Sequence, residues 1–202
     1  MKDNAGITHE RELLAACQSG DGYAFRKLFD EFHQKVLHLA VRLCGDVQEA
    51  EDVTQEVFLK VYHEIGQFQM KSEFGTWLYR VTINLCTDRN RKIKRRAKYK
   101  APQTVTLSEG FIDGNNTTDS KTPDKEVWQN ELQEILQAAL MKIKPKWRTV
   151  LVLKDLEGLP YTEIAQITGC NEGTVCSRLN RGRKALRAIL AELGIDKNYF
   201  RD

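Results

Sequence analysis

The 202-residue chain is 41% hydrophobic and 29% charged, the balance of a globular protein with a core to bury, which excludes an intrinsically disordered chain. Its formal net charge of +3 names no partner, but the charge is segregated: six acids against one lysine between Asp46 and Glu64, and eight cations without an acid from Arg89 to Lys100. Segregated faces suit two kinds of partner, and nucleic acid is a natural one for the basic face. The N-terminal MKDNAGITHERELL lacks the apolar segment of a secretory leader. No apolar run approaches the roughly 18 residues that span a bilayer. No direct membrane insertion is therefore expected.

A short helical extension is expected over residues 1–22. Phe25, Leu28, Phe29, Phe32, Val36, Leu39, Ala40 and Leu43 then follow the i, i+3, i+4, i+7 rule of an amphipathic helix. Gly45-Asp46 breaks it. A second helix from about Gln48 turns Ala50, Val53, Val57, Val61 and Ile65 inward and stops at Gly66. Residues 67–75 read as a loop. A third helix starts near Thr76, a plausible N-cap, and carries Trp77, Leu78, Val81 and Leu85 before turning wholly basic. Three helices with short connections make one small domain, placed at 23–92.

The stretch APQTVTLSEGFIDGNNTTDSKTP is rich in Thr, Ser, Asn, Gly and Pro and has no helical period. It reads as an extended, flexible linker, bounded at 93–128. Trp128, Leu132, Ile135, Leu136, Ala139, Leu140 and Ile143 then return to helical phase, and Pro145 ends that helix or begins the next. The second domain spans 129–195, with a tail at 196–202. No strand-like alternation of useful length occurs. The fold class is all-α: two small helical domains joined by a flexible linker.

The segment Tyr161–Leu190 follows helix-turn-helix grammar. Ile164, Ala165 and Ile167 give a short helix its apolar face, Gly169 suits a left-handed helix end, and Asn171 suits the N-cap of the next helix, which turns Val175 and Leu179 inward. In such motifs the second helix enters the major groove. Its outward residues Ser177, Arg178, Asn180, Arg181, Arg183 and Lys184 match guanine acceptors, adenine edges and flanking phosphates. The competing reading is an αα-hairpin with a solvated basic face. The cations gather on the second helix and not the first, which favours DNA.

Two segments carry a family resemblance. RTVLVLKDLEGLPYTEIAQITGCNEGTVCSRLNRGRKALR resembles the C-terminal promoter-reading domain of sigma-70-type sigma factors, and AEDVTQEVFLKVYHEIGQF with FGTWLYRVTINLCTDRNRK resembles their N-terminal domain. Their direct joining resembles the extracytoplasmic-function (ECF) group. This implies a cytoplasmic transcription initiation factor with no enzymatic activity and no cofactor or metal, associated with a stress or envelope response.

The resemblance implies that Asp52, Gln55, Glu56 and Leu59, which lie off the apolar stripe, dock on the clamp helices of the polymerase β′ subunit. An acidic face with an exposed aliphatic suits a basic groove; a merely solvated acidic face is the alternative. It implies that the loop residues Phe68, Lys71, Ser72 and Phe74, with Arg80, Asn84, Asp88, Arg89 and Arg91 on the following helix, open and read the −10 element as single-stranded DNA, where bases are captured on aromatic faces while cations hold phosphates. Trp77 is read as a packing residue, and Tyr79 shares that alternative. It further implies that Thr174, Cys176, Ser177, Arg178, Asn180, Arg181, Arg183 and Lys184 face duplex −35 DNA, that the second domain binds the β flap, and that the linker threads toward the active-centre channel. Five acids at Glu109, Asp113, Asp119, Asp124 and Glu126 suit a basic channel. An anti-sigma factor, often membrane-bound in the group, is the expected inhibitor. The sequence departs from the group at Cys176, commonly Lys or Arg, and at Asn180, often aromatic or His, so the −35 sequence read here is expected to differ.

Two other functions stay in view. A stand-alone helix-turn-helix regulator explains the C-terminal half but leaves the acidic helix and TWLYRVTIN unexplained. A metal nuclease needs clustered ligands; His9, His33, His38 and His63 are scattered, and Asp52 and Glu56 have no third ligand in register. The five cysteines, Cys17, Cys44, Cys86, Cys170 and Cys176, show no CxxC spacing and read as reduced thiols, with a redox role for Cys170 and Cys176 left open.

Overall fold

The computed structural model describes residues 4–69, 73–99 and 123–195. The central linker segment 101–122 and the tail 196–202 lie outside the described residues. Eight α-helices and no strands occur among them. In the first half these are α1 (Asn4–Gln18), α2 (Gly22–Cys44), α3 (Val47–Glu64) and α4 (Phe74–Tyr99), with a 3₁₀ turn at Ile65–Gln67. In the second they are α5 (Pro123–Lys142), α6 (Pro145–Leu151), α7 (Tyr161–Thr168) and α8 (Glu172–Glu192).

Local chemistry sets the boundaries. Asp21 caps α2 by accepting from the Tyr23 and Ala24 amides, and Asp46 caps α3 by accepting from Glu49 N at 2.9 Å. Between them Gly45 takes φ 82°, the left-handed conformation that closes a helix C-terminus and that residues with a Cβ avoid. Pro145 occupies the first turn of α6, where no intrahelical donor is needed. The apolar stripes predicted for α2 and α3 are the core: Leu28, Val36, Leu39, Val53, Val57 and Val61 are fully buried, and Phe74 and Leu78 of α4 close the layer. The N-terminal extension joins this core, since α1 buries Leu13, Leu14 and Cys17.

Three details depart from the sequence reading. Thr76 is not the N-cap of α4. The helix begins at Phe74, because its ring is locked against Phe32, Phe68 and Trp77 and draws the first turn upstream. Thr76 sits inside the helix, and its hydroxyl donates to Glu163 Oε1 at 3.0 Å. Helical structure also continues past residue 92 to Tyr99 and resumes at Pro123, inside the stretch read as linker. Third, α6 runs into a turn of π-helix at Val152–Leu156, which shifts the phase of Asp155 and Glu157 relative to a regular helix.

The two helical halves touch. Glu157 is the centre of the seam: Arg42 Nη1 donates to its Oε1 at 2.7 Å, and Tyr79 Oη donates to its Oε2 at 3.1 Å. Burial first, and the Glu157 carboxylate second, push the Tyr79 phenol above its ordinary range, so it stays a donor. Gln137 Nε2 donates to the Val41 carbonyl at 2.9 Å, and Met141 fills the space where a Cβ on Gly45 would stand. Together with Thr76–Glu163, these contacts tie α2 and α4 to α5, to the end of the π-turn and to α7.

Candidate nucleic-acid and protein interfaces

On α3 the residues Asp52, Gln55, Glu56 and Leu59 are all exposed, as their phase requires. Leu59 is 61% exposed, and Tyr62, one turn on, is equally so. Tyr62 stacks edge-on against Phe25 at 5.2 Å between ring centroids, which holds it beside Leu59. The sequence reading missed it; an aromatic three residues after an exposed leucine was the available signal. The face is therefore apolar at its C-terminal end and acidic at its N-terminal end.

Arg89, expected to face DNA, lies against that acidic end. Its guanidinium donates to Glu49 and to Asp52, and Glu56 stands 3.6 Å away. Glu49 first and Asp52 next hold its pKa above the ordinary value. Residues read as polymerase-facing and DNA-facing thus meet in one ion cluster between α3 and α4. A cleft of about 220 Å³ beside it is lined by Glu56, Leu85, Asp88, Arg89, Arg91, Lys92 and Arg95.

The remaining polar face of α4 is free of the core. Arg80, Asn84, Asp88 and Arg91 are exposed, and Arg91 lies 3.5 Å from Asp88. Phe68, Phe74 and Trp77 form one aromatic cluster with centroids 5.3–5.8 Å apart. Within it Phe74 is 1% exposed. That corrects its reading as a DNA-facing side chain: a ring so enclosed offers no face to a base, and its place is the core. Phe68 is half-buried at the cluster's edge. Lys71 and Ser72 lie outside the described residues.

The helix-turn-helix forms as its sequence requires. Gly169 takes φ 64°, Asn171 Oδ1 accepts from Thr174 N at 2.7 Å, and Val175, Leu179 and Gly182 face inward. Cys176, Ser177, Asn180, Arg181 and Lys184 are exposed on the outer face, while Thr174 and Arg178 are half-buried. Arg178 Nη1 donates toward Cys170 Sγ at 3.5 Å, and Asn180 Nδ2 reaches Cys176 Sγ at 3.9 Å. Arg183 is held otherwise: its Nε and Nη2 grip Asp155 at 2.9 and 2.5 Å in a two-pronged pair. It braces α8 against the π-turn. Gly182 was also unforeseen. A Cβ there would lie 3.2 Å from the Trp147 carbonyl, so the position lets α6 and α8 approach closely.

The comparisons with known proteins follow this division. Residues 28–96 match the Sigma-70 region 2 family, and residues 133–186 match Sigma-70, region 4. The ECF RNA polymerase sigma factor SigW of Bacillus subtilis is 37% identical over 184 residues, 91% of this chain and 97% of that protein. This chain belongs to the ECF sigma factors. The RNA polymerase sigma-H factor of Pseudomonas aeruginosa is 34% identical over 185 residues, 91% of this sigma factor and 95% of that one. Two solved structures share the helical fold. CnrH in complex with the cytosolic domain of CnrY has a TM-score of 0.63 at 23% identity over 91% of this chain and 97% of that one. The sigma factor RpoE in complex with the anti-sigma factor NepR from Bartonella quintana has a TM-score of 0.64 at 22% identity, covering 83% and 96%.

As a sigma factor the protein directs transcription initiation and is not an enzyme. A stand-alone regulator is not favoured, because the region 2 match accounts for the half that this alternative left over. No described helix is long and apolar enough to cross a membrane.

Proposed function

We propose that the exposed face of α3, with Asp52, Gln55, Glu56, Leu59 and Tyr62, docks on the clamp helices of the polymerase β′ subunit, that α4 and the loop before it melt and read the −10 element, and that α8 reads duplex −35 DNA while its domain rests on the β flap. The observation that carries this reading is the outer face of α8. Cys176, Ser177, Asn180, Arg181 and Lys184 are exposed to solvent on a helix whose other side is fixed by Val175, Leu179 and Gly182. A rigid helix bearing hydrogen-bonding and cationic groups on one side fits the major groove. On α4, Arg80, Asn84 and Arg91 supply the polar surface for the opened strand, with Phe68 at the edge of the aromatic cluster as the base platform. Arg183 acts through Asp155 as a brace for α8.

The linker passes through the active-centre channel, and the protein works in the cytoplasm as part of a stress or envelope response. The complexes of RpoE with the anti-sigma factor NepR and of CnrH with the cytosolic domain of CnrY support an anti-sigma partner for this sigma factor too. DNase and permanganate footprinting with core polymerase tests the reading: protection at −35 and unpaired thymines at −10 are expected, and Arg181→Ala should remove the first and leave core binding intact. Protection of −35 by the chain without core, unaltered by Arg181→Ala, would overturn it.

A further inference from the structure

Arg89 stands between two surfaces that the proposed function gives to different partners. It belongs to α4, yet its Nε donates to Glu49 and its Nη2 to Asp52 across the α3–α4 packing, with Glu56 Oε1 3.6 Å from its Nη1. Asp52 and Glu56 are the acids of the docking face. Their side chains are 60% and 47% exposed, so an incoming cation reaches them, whereas Arg89 at 22% and Glu49 at 29% lie deeper. Three carboxylates around one guanidinium leave this cluster net negative. Arg89 also borders the cleft of about 220 Å³, where Arg91, Lys92 and Arg95 of α4 join it, with Glu56 and Asp88 as the lining acids. That volume is several times the roughly 30 Å³ share of a water molecule, room for a hydrated phosphate group. The most enclosed cation of the cleft is thus engaged by the very acids that face polymerase.

We propose that this cleft takes a backbone phosphate of the opened DNA strand, and that Arg89 is shared between that phosphate and the acids of α3, so that docking on polymerase and gripping DNA strengthen each other. The inference rests on the proposed placement of α3 on polymerase and of α4 on DNA. In the free chain the carboxylates hold Arg89, and their charge repels a phosphate from the cleft. A cationic groove set against Asp52 and Glu56 gives those acids other partners and cancels their field. Arg89 then keeps only Glu49 and can turn its Nη groups to a phosphate, which its planar fork matches in two-pronged fashion. The converse follows from linkage. A phosphate that draws Arg89 away leaves Asp52 and Glu56 without their cation, and docking gains by the same factor. A mere brace between α3 and α4 behaves otherwise: its removal loosens the docking face and weakens binding.

The test uses the full chain, purified core polymerase, and fluorescent oligothymidine as the phosphate probe. Without DNA, Arg89→Gln should raise the affinity of the chain for core polymerase roughly fivefold, the low end of ordinary coupling between sites. In the holoenzyme the same substitution should weaken oligothymidine binding and make its log–log salt dependence shallower by about 0.7, the share of one phosphate on a single strand. In the free chain that slope should not change, because Arg89 is already engaged. Glu49→Gln approaches the cluster from the acid side. It should raise the free chain's affinity for oligothymidine roughly threefold, the worth of a half-exposed ion pair, and the gain should vanish in the Arg89→Gln background. Glu51→Gln removes an exposed acid of the same helix outside the cluster and should give less. Weaker or unchanged core binding by Arg89→Gln overturns the inference, as do equal gains from Glu49→Gln and Glu51→Gln. A holoenzyme slope that responds to Arg91→Gln but not to Arg89→Gln sinks the inference and leaves the DNA-facing reading of α4 standing; a slope that responds to neither sinks both.

Discussion

Glu157→Ala is the sharpest perturbation of the seam between the two halves. The Glu157 and Arg42 side chains are 12% and 26% exposed, so this pair is shielded more than a surface salt bridge. Glu157 accepts from both Arg42 and Tyr79. A hydrogen bond to a charged group nets about 1.5–3 kcal/mol, and two such bonds with partial re-hydration of the partners give roughly 3 kcal/mol. At 1.4 kcal/mol per decade, the packed arrangement should lose about 100-fold against the separated one. The assay is energy transfer between dyes placed at Lys60 and Arg187, both exposed and one in each half. Transfer should fall in Glu157→Ala and fall less in Glu157→Gln, which keeps the shape and one acceptor. Each half should keep its helical circular dichroism, since no core residue is touched. Native transfer efficiency in Glu157→Ala would refute the placement of Glu157 as the main tie.

Four other outcomes are expected. Glu56→Lys should reduce co-purification with core polymerase by roughly tenfold or more while leaving the helical fold intact, as checked by circular dichroism, with at most a small loss of thermal stability from the Arg89 cluster. Arg181→Ala should weaken −35-dependent transcription by about 1–3 kcal/mol if it contacts a base edge, measured against promoters altered across that element. Arg183→Ala should instead lower the melting temperature of the second half, because the lost partner is Asp155 and not DNA. The Tyr79 phenol has a raised pKa in the packed state, so its stabilising contribution is full below the ordinary tyrosine range and is lost as pH rises above about 10; the dye pair should show separation only on that alkaline side, and Tyr79→Phe should flatten the response.

Much of this architecture is legible in the sequence because the relevant signals are local. The 3.6-residue stripes of α2 and α3, Gly45, Asn171 and Gly169 each specify their element within a turn or two, and the inward residues Val175 and Leu179 are in the core as their phase demands. What the sequence hides is pairing at a distance. Arg183 and Asp155 are 28 residues apart, Tyr79 and Glu157 are 78, and a basic residue on a predicted outer face reads as available until its acid is located in space. Arg89 is the same lesson: its helical phase says exposed, and only the approach of α3 reveals Glu49 and Asp52 beside it. Phe74 fails for a different reason. An aromatic at a loop–helix boundary serves a base or a core equally well in one dimension, and the ring of Phe32 decides for the core. The seam itself left no periodic trace, since the residues that build it are scattered, one or two to an element, from Val41 to Glu163.

The central claim is that α8 reads duplex DNA while α3 and α4 engage polymerase and the opened strand, all on one promoter. Run-off transcription with purified core polymerase on a genomic fragment library tests it most directly. The account predicts discrete start sites that appear only when the chain is added and that share two upstream elements, the farther one lost in Arg181→Ala. Absence of any chain-dependent start site, with the chain alone binding double-stranded fragments tightly, would contradict it.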